Sequence, residues 1–238
     1  MLLQRKTDYH CHILPGIDDG PSDSRVSIEM ARLLSGLGYQ DVHCTPHLIK
    51  GLYEVSVQEV LEEIRLLQLE LDRENIDIRL LAGREHYLDE FLLDFIREPQ
   101  LLEGTNSILI EIPSHSSADF VKDTLFAVRC RGYVPLIAHP ERCKHFEIQK
   151  AEATWSGKLN AWMTRNLDAG QAADPGNDLL TYLKSLGCQF QANLGSKMGL
   201  YGNRVRENAQ YLEQTGIYTH EGTDAHSPDF IRYTLGLE

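Results

Sequence analysis

The sequence predicts an α/β fold, a barrel of about seven parallel strands with helices outside, and three observations point there. Short β-type runs alternate with helical periods from one end of the chain to the other. Seven such alternations imply parallel strands joined by right-handed crossovers. Almost every strand run ends in His, Glu or Asp, where an open doubly wound sheet would gather its polar residues at one switch point. The 238 residues suffice for one large domain, which at this size buries roughly 70% of its unfolded surface without staples.

The strand runs, in order, are Thr7–Ile13, Asp41–Thr45, Ile78–Ala82, Ile108–Ile112, Val134–Ala138, Gln189–Leu194 and Tyr218–Gly222. Between the first two, Val26, Met30, Leu33, Leu34 and Leu37 form a helical stripe, with Ser22 or Asp23 as front cap and Gly38 behind. Val57, Val60, Leu61, Ile64, Leu67 and Leu71 form the apolar face of a second helix, with Glu and Arg opposite. Shorter stripes are Phe120, Val121, Thr124, Leu125, Val128 and Leu179, Leu180, Leu183. A single domain over residues 1–238 is expected, with an insertion around 150–176 that holds Trp155 and Trp162 and is poor in branched aliphatics. A helix packed on the body, a lid or an interface would each suit those tryptophans.

Composition narrows the function. At 42% apolar and 24% charged, the chain is ordinary globular protein and not disordered, collagenous or coiled coil. Lys and Arg number 23 against 35 Asp and Glu, a formal charge of −12, which excludes a phosphate-backbone reader and so nucleic acid. Five cysteines with no C-x-x-C pair read as reduced thiols, so a cytoplasmic location is expected. No run approaches 18 apolar residues and the N-terminal segment lacks an apolar stretch, so no membrane insertion is expected.

The ten histidines carry the chemistry. In Asp8-Tyr9-His10-Cys11-His12, His10 and His12 share one strand face and can grip one cation, although two core histidines would also fit. Asp8 is placed to accept an imidazole N–H. Further donors stand at strand ends: Asp18 and Asp19 after the first strand, His47 after the second and Glu85 after the third. Glu111 ends the fourth, His139 the fifth, and Asp224 with His226 the last. Mixed imidazole and carboxylate shells without thiolates suit Mn, Fe or Zn, and this many candidates implies more than one ion. His43 is expected to pack, His86 to point away from the site, and His115, His145 and His220 to be solvated or locally hydrogen-bonded.

Seven ordered segments carry a resemblance: D-Y-H-C-H-I-L-P-G-I-D-D-G-P (8–21), C-T-P-H (44–47), A-G-R-E-H-Y (82–87), I-L-I-E-I-P (108–113), I-A-H-P-E-R (137–142), Q-A-N-L-G-S-K-M-G-L-Y-G (191–202) and G-T-D-A-H-S (222–227). In these the chain resembles the polymerase and histidinol phosphatase (PHP) family, and within it the bacterial tyrosine phosphatases found with capsule and exopolysaccharide genes. The resemblance implies a distorted (β/α)7 TIM-like barrel with a trinuclear metal cluster at the C-terminal ends of the strands, Mn2+ foremost and Fe or Zn as alternatives. It implies His10, His12, Glu85 and Asp224 around a first ion. Glu85 would bridge to a second ion held also by Glu111 and His139, and Asp19, His47 and His226 would hold a third. Arg142 matches an arginine that contacts phosphate. Arg232 stands near, but shifted from, the family's second such arginine. Arg84 replaces a small residue and would add a phosphate contact or a surface charge. The chain stops twelve residues after His226, so barrel closure beside Asp224 would be looser or completed by a second copy, and homo-oligomers stay open.

The charge balance fits a phosphate monoester. Asp19, Glu85, Glu111 and Asp224 bring −4 and three divalent ions +6, leaving about +2 against a substrate of about −2. Asp18 is the candidate general acid, with a turn-capping role as its alternative. Cysteine-based phosphatase chemistry is excluded, because none of Cys11, Cys44, Cys130, Cys143 and Cys188 has Arg six positions on. The expected substrate is a tyrosine-phosphorylated protein, a bacterial tyrosine kinase governing exopolysaccharide or capsule synthesis. The alternatives are a small-molecule phosphomonoesterase such as histidinol phosphatase, and a non-catalytic phosphopeptide-binding module.

Overall fold

A computed structural model describes residues 5–147, 178–234 and 236. The strands are β1 (Thr7–Cys11), β2 (Asp41–Cys44), β3 (His47–Leu48), β4 (Arg79–Ala82), β5 (Glu85–Tyr87), β6 (Ser107–Glu111), β7 (Val134–Ala138), β8 (Gln189–Asn193) and β9 (His220–Gly222). All their pairings are parallel, in one sheet ordered β1-β2-β4 and another ordered β3-β5-β6-β7-β8-β9. β3 continues β2 after Thr45-Pro46, and β5 continues β4 after Gly83-Arg84, so seven strand paths run around one curled sheet. The two breaks were not expected from sequence, where the apolar runs simply stop. Pro46 has no N–H to give the ladder. At Gly83 a Cβ would lie 2.8 Å from Leu102 Cδ2 and 3.0 Å from Thr45 Cγ2, so a larger residue would have to displace those side chains.

Between the last strand and the first, the sheet closes within the chain. His12 N–H donates to Ala225 O at 3.0 Å and Asp224 N–H to His10 O at 2.6 Å. The expected loose or partner-completed closure is therefore corrected. A short helix, Pro228–Thr234, follows the closing segment and buries Ile231 and Thr234.

Outside the sheet, in chain order, lie α1 (Ser24–Gly36), α2 (Val57–Arg73), α3 (Leu92–Phe95), α4 (Ala118–Cys130), α5 (Asp178–Ser185), α6 (Leu194–Met198), α7 (Asn203–Gln214) and α8 (Pro228–Thr234). Asp23 caps α1 by accepting from Arg25 and Val26 N–H. Ser56 and Glu59 form a reciprocal capping box on α2. The apolar stripes turn inward as their spacing requires in α1, α2, α4 and α5, with two exceptions. Leu61 on α2 is 46% exposed and Phe120 on α4 is 37% exposed.

The pleat sorts side chains to two sides of the sheet. Along β7, Ile137 enters the large cluster under the helices, whereas Leu136 and Ala138 join Leu102, Leu109 and Tyr9 in a smaller one. A third cluster, with Met30, Leu34, Val42, Val60, Leu67 and Leu71, ties α1 and α2 to β1, β2 and β4. The insertion expected around 150–176, with Trp155 and Trp162, lies outside the described residues. No helix among the described residues is long and apolar enough to cross a membrane.

Candidate metal centre

At the C-terminal ends of the strands, nine side chains converge: His10, His12, Asp19, His47, Glu85, Glu111, His139, Asp224 and His226. Their donor atoms fall into three overlapping groups, His10–Glu85–His139–Asp224, His12–Asp19–His47–His226 and His47–Glu85–Glu111. The quartet His10, His12, Glu85 and Asp224 is also tight. His10 Nε2 lies 3.1 Å from His12 Nε2, 3.3 Å from Glu85 Oε2 and 3.2 Å from Asp224 Oδ1. Asp19 Oδ1 lies 3.3 Å from His226 Nε2 and 3.6 Å from His47 Nε2. His139 Nε2 faces Glu85 Oε1 at 3.1 Å, while Glu111 gathers with Glu85 and His47.

The hydrogen bonds on the far sides of the rings decide what this convergence can hold. His10 Nδ1 pairs with Gln191 Oε1 at 3.0 Å, and Gln191 Nε2 donates to Ala192 O, which fixes the amide's orientation. His12 Nδ1 pairs with Asp18 Oδ2 at 2.7 Å, and His226 Nδ1 with Asp224 O at 2.8 Å. Each acceptor demands N–H on Nδ1, so each Nε2 presents a lone pair inward. Two such lone pairs, on His10 and His12, then face each other. His47 Nδ1 and Glu85 Oε2 also stand 3.0 Å apart, both buried. Opposed acceptors of this kind repel unless a proton or a cation lies between them, and the donor set fits divalent ions.

Protonation tells the same story. Burial pulls the His10 imidazole down, but Glu85 and Asp224 push it up to about 9. His12 is driven further above its ordinary value by hydrogen bonds to Asp18, Asp224 and Glu85, against burial. Glu85 and Asp224 are held well below the carboxylate range, burial being outweighed by the surrounding imidazoles and, for Asp224, Arg142. The protons so retained occupy the place a cation would take.

Backbone geometry serves the same groups. His139 and Asp224 have φ of 30° and 53°, in the left-handed region that side chains other than glycine seldom adopt. At Gly222 a Cβ would meet His10 Cβ at 2.6 Å, so glycine there lets β9 approach β1. Asp8 does not reach an imidazole, contrary to expectation. It accepts from His10 N–H, Thr223 N–H and Thr223 Oγ1, clamping β1 to the segment after β9.

Around this centre opens a cavity of about 510 Å3. Its lining combines the polar cluster and Arg142 with Ile49, Leu52, Tyr53, Tyr201 and Phe230. Ile49 and Tyr53 are joined as a tight hairpin whose tip residue, Leu52, is 65% exposed at the mouth. Arg142 Nη1 donates to Asp224 Oδ2 at 2.7 Å, and its guanidinium lies 4.5 Å over the Tyr201 ring. Asn193 Nδ2 donates to the same Asp224 oxygen at 2.7 Å. Sequence reasoning missed Gln191, Asn193 and Tyr201; the signal for the two amides was their spacing, two apart on β8, whereas Tyr201 follows α6.

Three expectations need correction. Asp18, the candidate general acid, accepts from His12, His47 N–H and Gly20 N–H, and despite burial the His12 contact lowers its pKa to about 2. It orients His12 and has no proton to give. Arg232 lies away from the cavity, paired with Asp229 at 2.7 Å and with Glu29. Arg84 is neither a phosphate contact nor a surface charge, being 1% exposed and outside this cavity. Among the other histidines, His43 packs on Tyr9, His86 bonds Leu109 O, His145 bonds Ser116 O and His220 pairs with Thr219. The buried thiols of Cys143 and Cys188 are pushed up to about 11 and about 12 by burial, and Cys11 and Cys44 higher still, the reverse of a nucleophilic thiolate.

A family model for capsular polysaccharide synthesis, CpsB/CapC, matches residues 6–156. The chain belongs to the CpsB/CapC family. The tyrosine-protein phosphatase YwqE of Bacillus subtilis is 30% identical over 222 residues, which cover 92% of this chain and 77% of that one. A crystal structure from work on YwqE and on CpsB of Streptococcus pneumoniae, described as metal-dependent tyrosine phosphatases, superposes with a TM-score of 0.74 at 28% identity, covering 98% of this chain and 87% of that one. A histidinol phosphate phosphatase from Lactococcus lactis, at 15% identity and a TM-score of 0.52 over 98% of this chain and 92% of that one, shares the fold alone. The CpsB/CapC match spans β1 to β7 and so contains every cluster residue except Asp224 and His226.

Proposed function

We propose that this chain is a metal-dependent phosphatase acting on phosphotyrosine in proteins, among them a bacterial tyrosine kinase that governs polysaccharide synthesis. The observation that carries the proposal is the convergence of imidazole and carboxylate donor atoms, His10 against His12 and His47 against Glu85, in a cavity lined also by Arg142 and by aromatic side chains. Membership of the CpsB/CapC family and the likeness to YwqE support it.

The nine clustered residues would hold three divalent ions, Mn2+ foremost, with Fe or Zn as the alternatives. Such ions supply Lewis-acid charge and a water acidic enough to ionise near neutral pH. The chain supplies the rest. Asp18, Gln191 and the Asp224 carbonyl hold three imidazoles in the tautomer that offers Nε2 inward. Arg142 stands at the cavity wall to donate to phosphate oxygens. The wall of Ile49, Leu52, Tyr53, Tyr201 and Phe230 suits a phenyl ring better than a polar alkyl phosphate. A phenol of pKa about 10 leaves more readily than an alkoxide, so the reaction needs no dedicated general acid, consistent with Asp18 being otherwise engaged.

The test compares kcat/KM on phosphotyrosine peptides and on histidinol phosphate, with and without chelator. Preference for the peptide and loss on chelation are expected. Preference for histidinol phosphate would favour a small-molecule phosphatase, and peptide binding without turnover would leave only a binding module.

A further inference from the structure

A second cavity lies on the outer side of the β3–β5 pair, about 180 Å3 in volume. That is room for several waters at about 30 Å3 each. Its floor is Arg84, His86 and Gln100, which are 1%, 1% and 7% exposed; its rim is formed by the exposed residues Glu54, Ser56 and Glu98. The polar groups of the floor are not satisfied. Arg84 uses two of its donors on backbone carbonyls, Val55 O at 2.6 Å and His47 O at 3.4 Å, and its Nε has no partner. Neither Nε2 nor Oε1 of Gln100 has one.

A buried guanidinium normally sits against a carboxylate. No described carboxylate pairs with Arg84. Glu54 is engaged by Lys50 Nζ at 2.5 Å and by Gly51 N–H at 2.7 Å. Arg84 is the one Lys or Arg among the residues lining the cavity.

We propose that this cavity is a binding site for a small carboxylate, held by the free Arg84 donors and the Gln100 amide. A single negative charge matches the one guanidinium, whose fork suits a carboxylate's two oxygens. The site is separate from the catalytic cavity but mechanically close to it. Arg84 precedes Glu85 and bonds the carbonyl of His47, so an occupant would brace the two strands that carry those side chains.

The test uses the full, metal-loaded chain in a buffer whose anion is a bulky sulfonate, to which formate or acetate is added. At ten times its dissociation constant the acid should raise Tm by about 3–6 °C, saturably. Titration calorimetry should give one site per chain. Arg84→Gln should abolish both effects, and Gln100→Leu, which keeps the buried charge, should weaken binding at least several-fold. An equal response in wild type and Arg84→Gln would place the acid at the metal centre and overturn the proposal. So would no response at all, or a Tm that depends on Glu98→Gln rather than on added acid, since Glu98 would then be the counter-charge.

Discussion

His12 and Asp18 meet at 2.7 Å, and that contact turns His12 Nε2 toward Glu85 and Asp224. Asp18→Asn keeps the shape but replaces a charged acceptor by a neutral amide. Metal affinity should drop about 10–100-fold with the fold retained, as read by titration against a metal indicator and by circular dichroism. An unchanged affinity would remove Asp18 from the support of the centre. Arg142→Ala should lower kcat/KM on phosphotyrosine peptide by about 10–100-fold, the worth of a hydrogen bond to a charged group. An unchanged value would take it out of the site. His10 gives a pH signature. Its folded pKa of about 9 exceeds the ordinary 6.5, so in metal-free protein its stabilising contribution is full below pH 6.5 and is lost as pH rises through about 9. Bound metal displaces that proton. Calorimetry should show Tm of the metal-free chain falling across this window while the metal-loaded chain holds; parallel curves would contradict the assignment.

Elements differ in how much they disclosed beforehand. α1 and α2 were legible because their apolar spacing ends on true caps, and Ser56→Ala should cost about 1 kcal/mol in chemical denaturation by breaking the box with Glu59. α7 was not legible, since its buried face is small, Val205, Asn208, Ala209 and Leu212, on an otherwise polar helix. Strand breaks at Pro46 and Gly83 were hidden because a two-residue or three-residue extension carries no period to read. Those extensions matter, for β3 begins with His47 and β5 with Glu85. At the closure, Gly222→Ala would force its Cβ to 2.6 Å from His10 Cβ. It should lower both metal content and Tm; normal values for both would show that β1 and β9 can separate without moving His10.

Across the whole molecule, the gathering of nine residues from many strand ends was legible because parallel strands in a barrel deliver their C-terminal ends to one face. Their support was less so. Gln191, Asn193 and Asp18 act on the far sides of rings and carboxylates, and no spacing rule reports which partner a side chain turns toward. Arg84 was misread for the same reason: a charge where the family has a small residue offered a phosphate contact or a surface position, whereas its side chain is buried outside the catalytic cavity. A chain with formal charge −12 can still receive a dianionic phosphate only if cations occupy its carboxylate-rich cavity. Metal content per chain, measured alongside phosphotyrosine-peptide turnover before and after chelation, addresses that directly. Several divalent ions per chain, activity lost on their removal and restored by Mn2+ better than by Mg2+, are expected. Full turnover by metal-free protein, or equal rescue by Mg2+, would contradict the account.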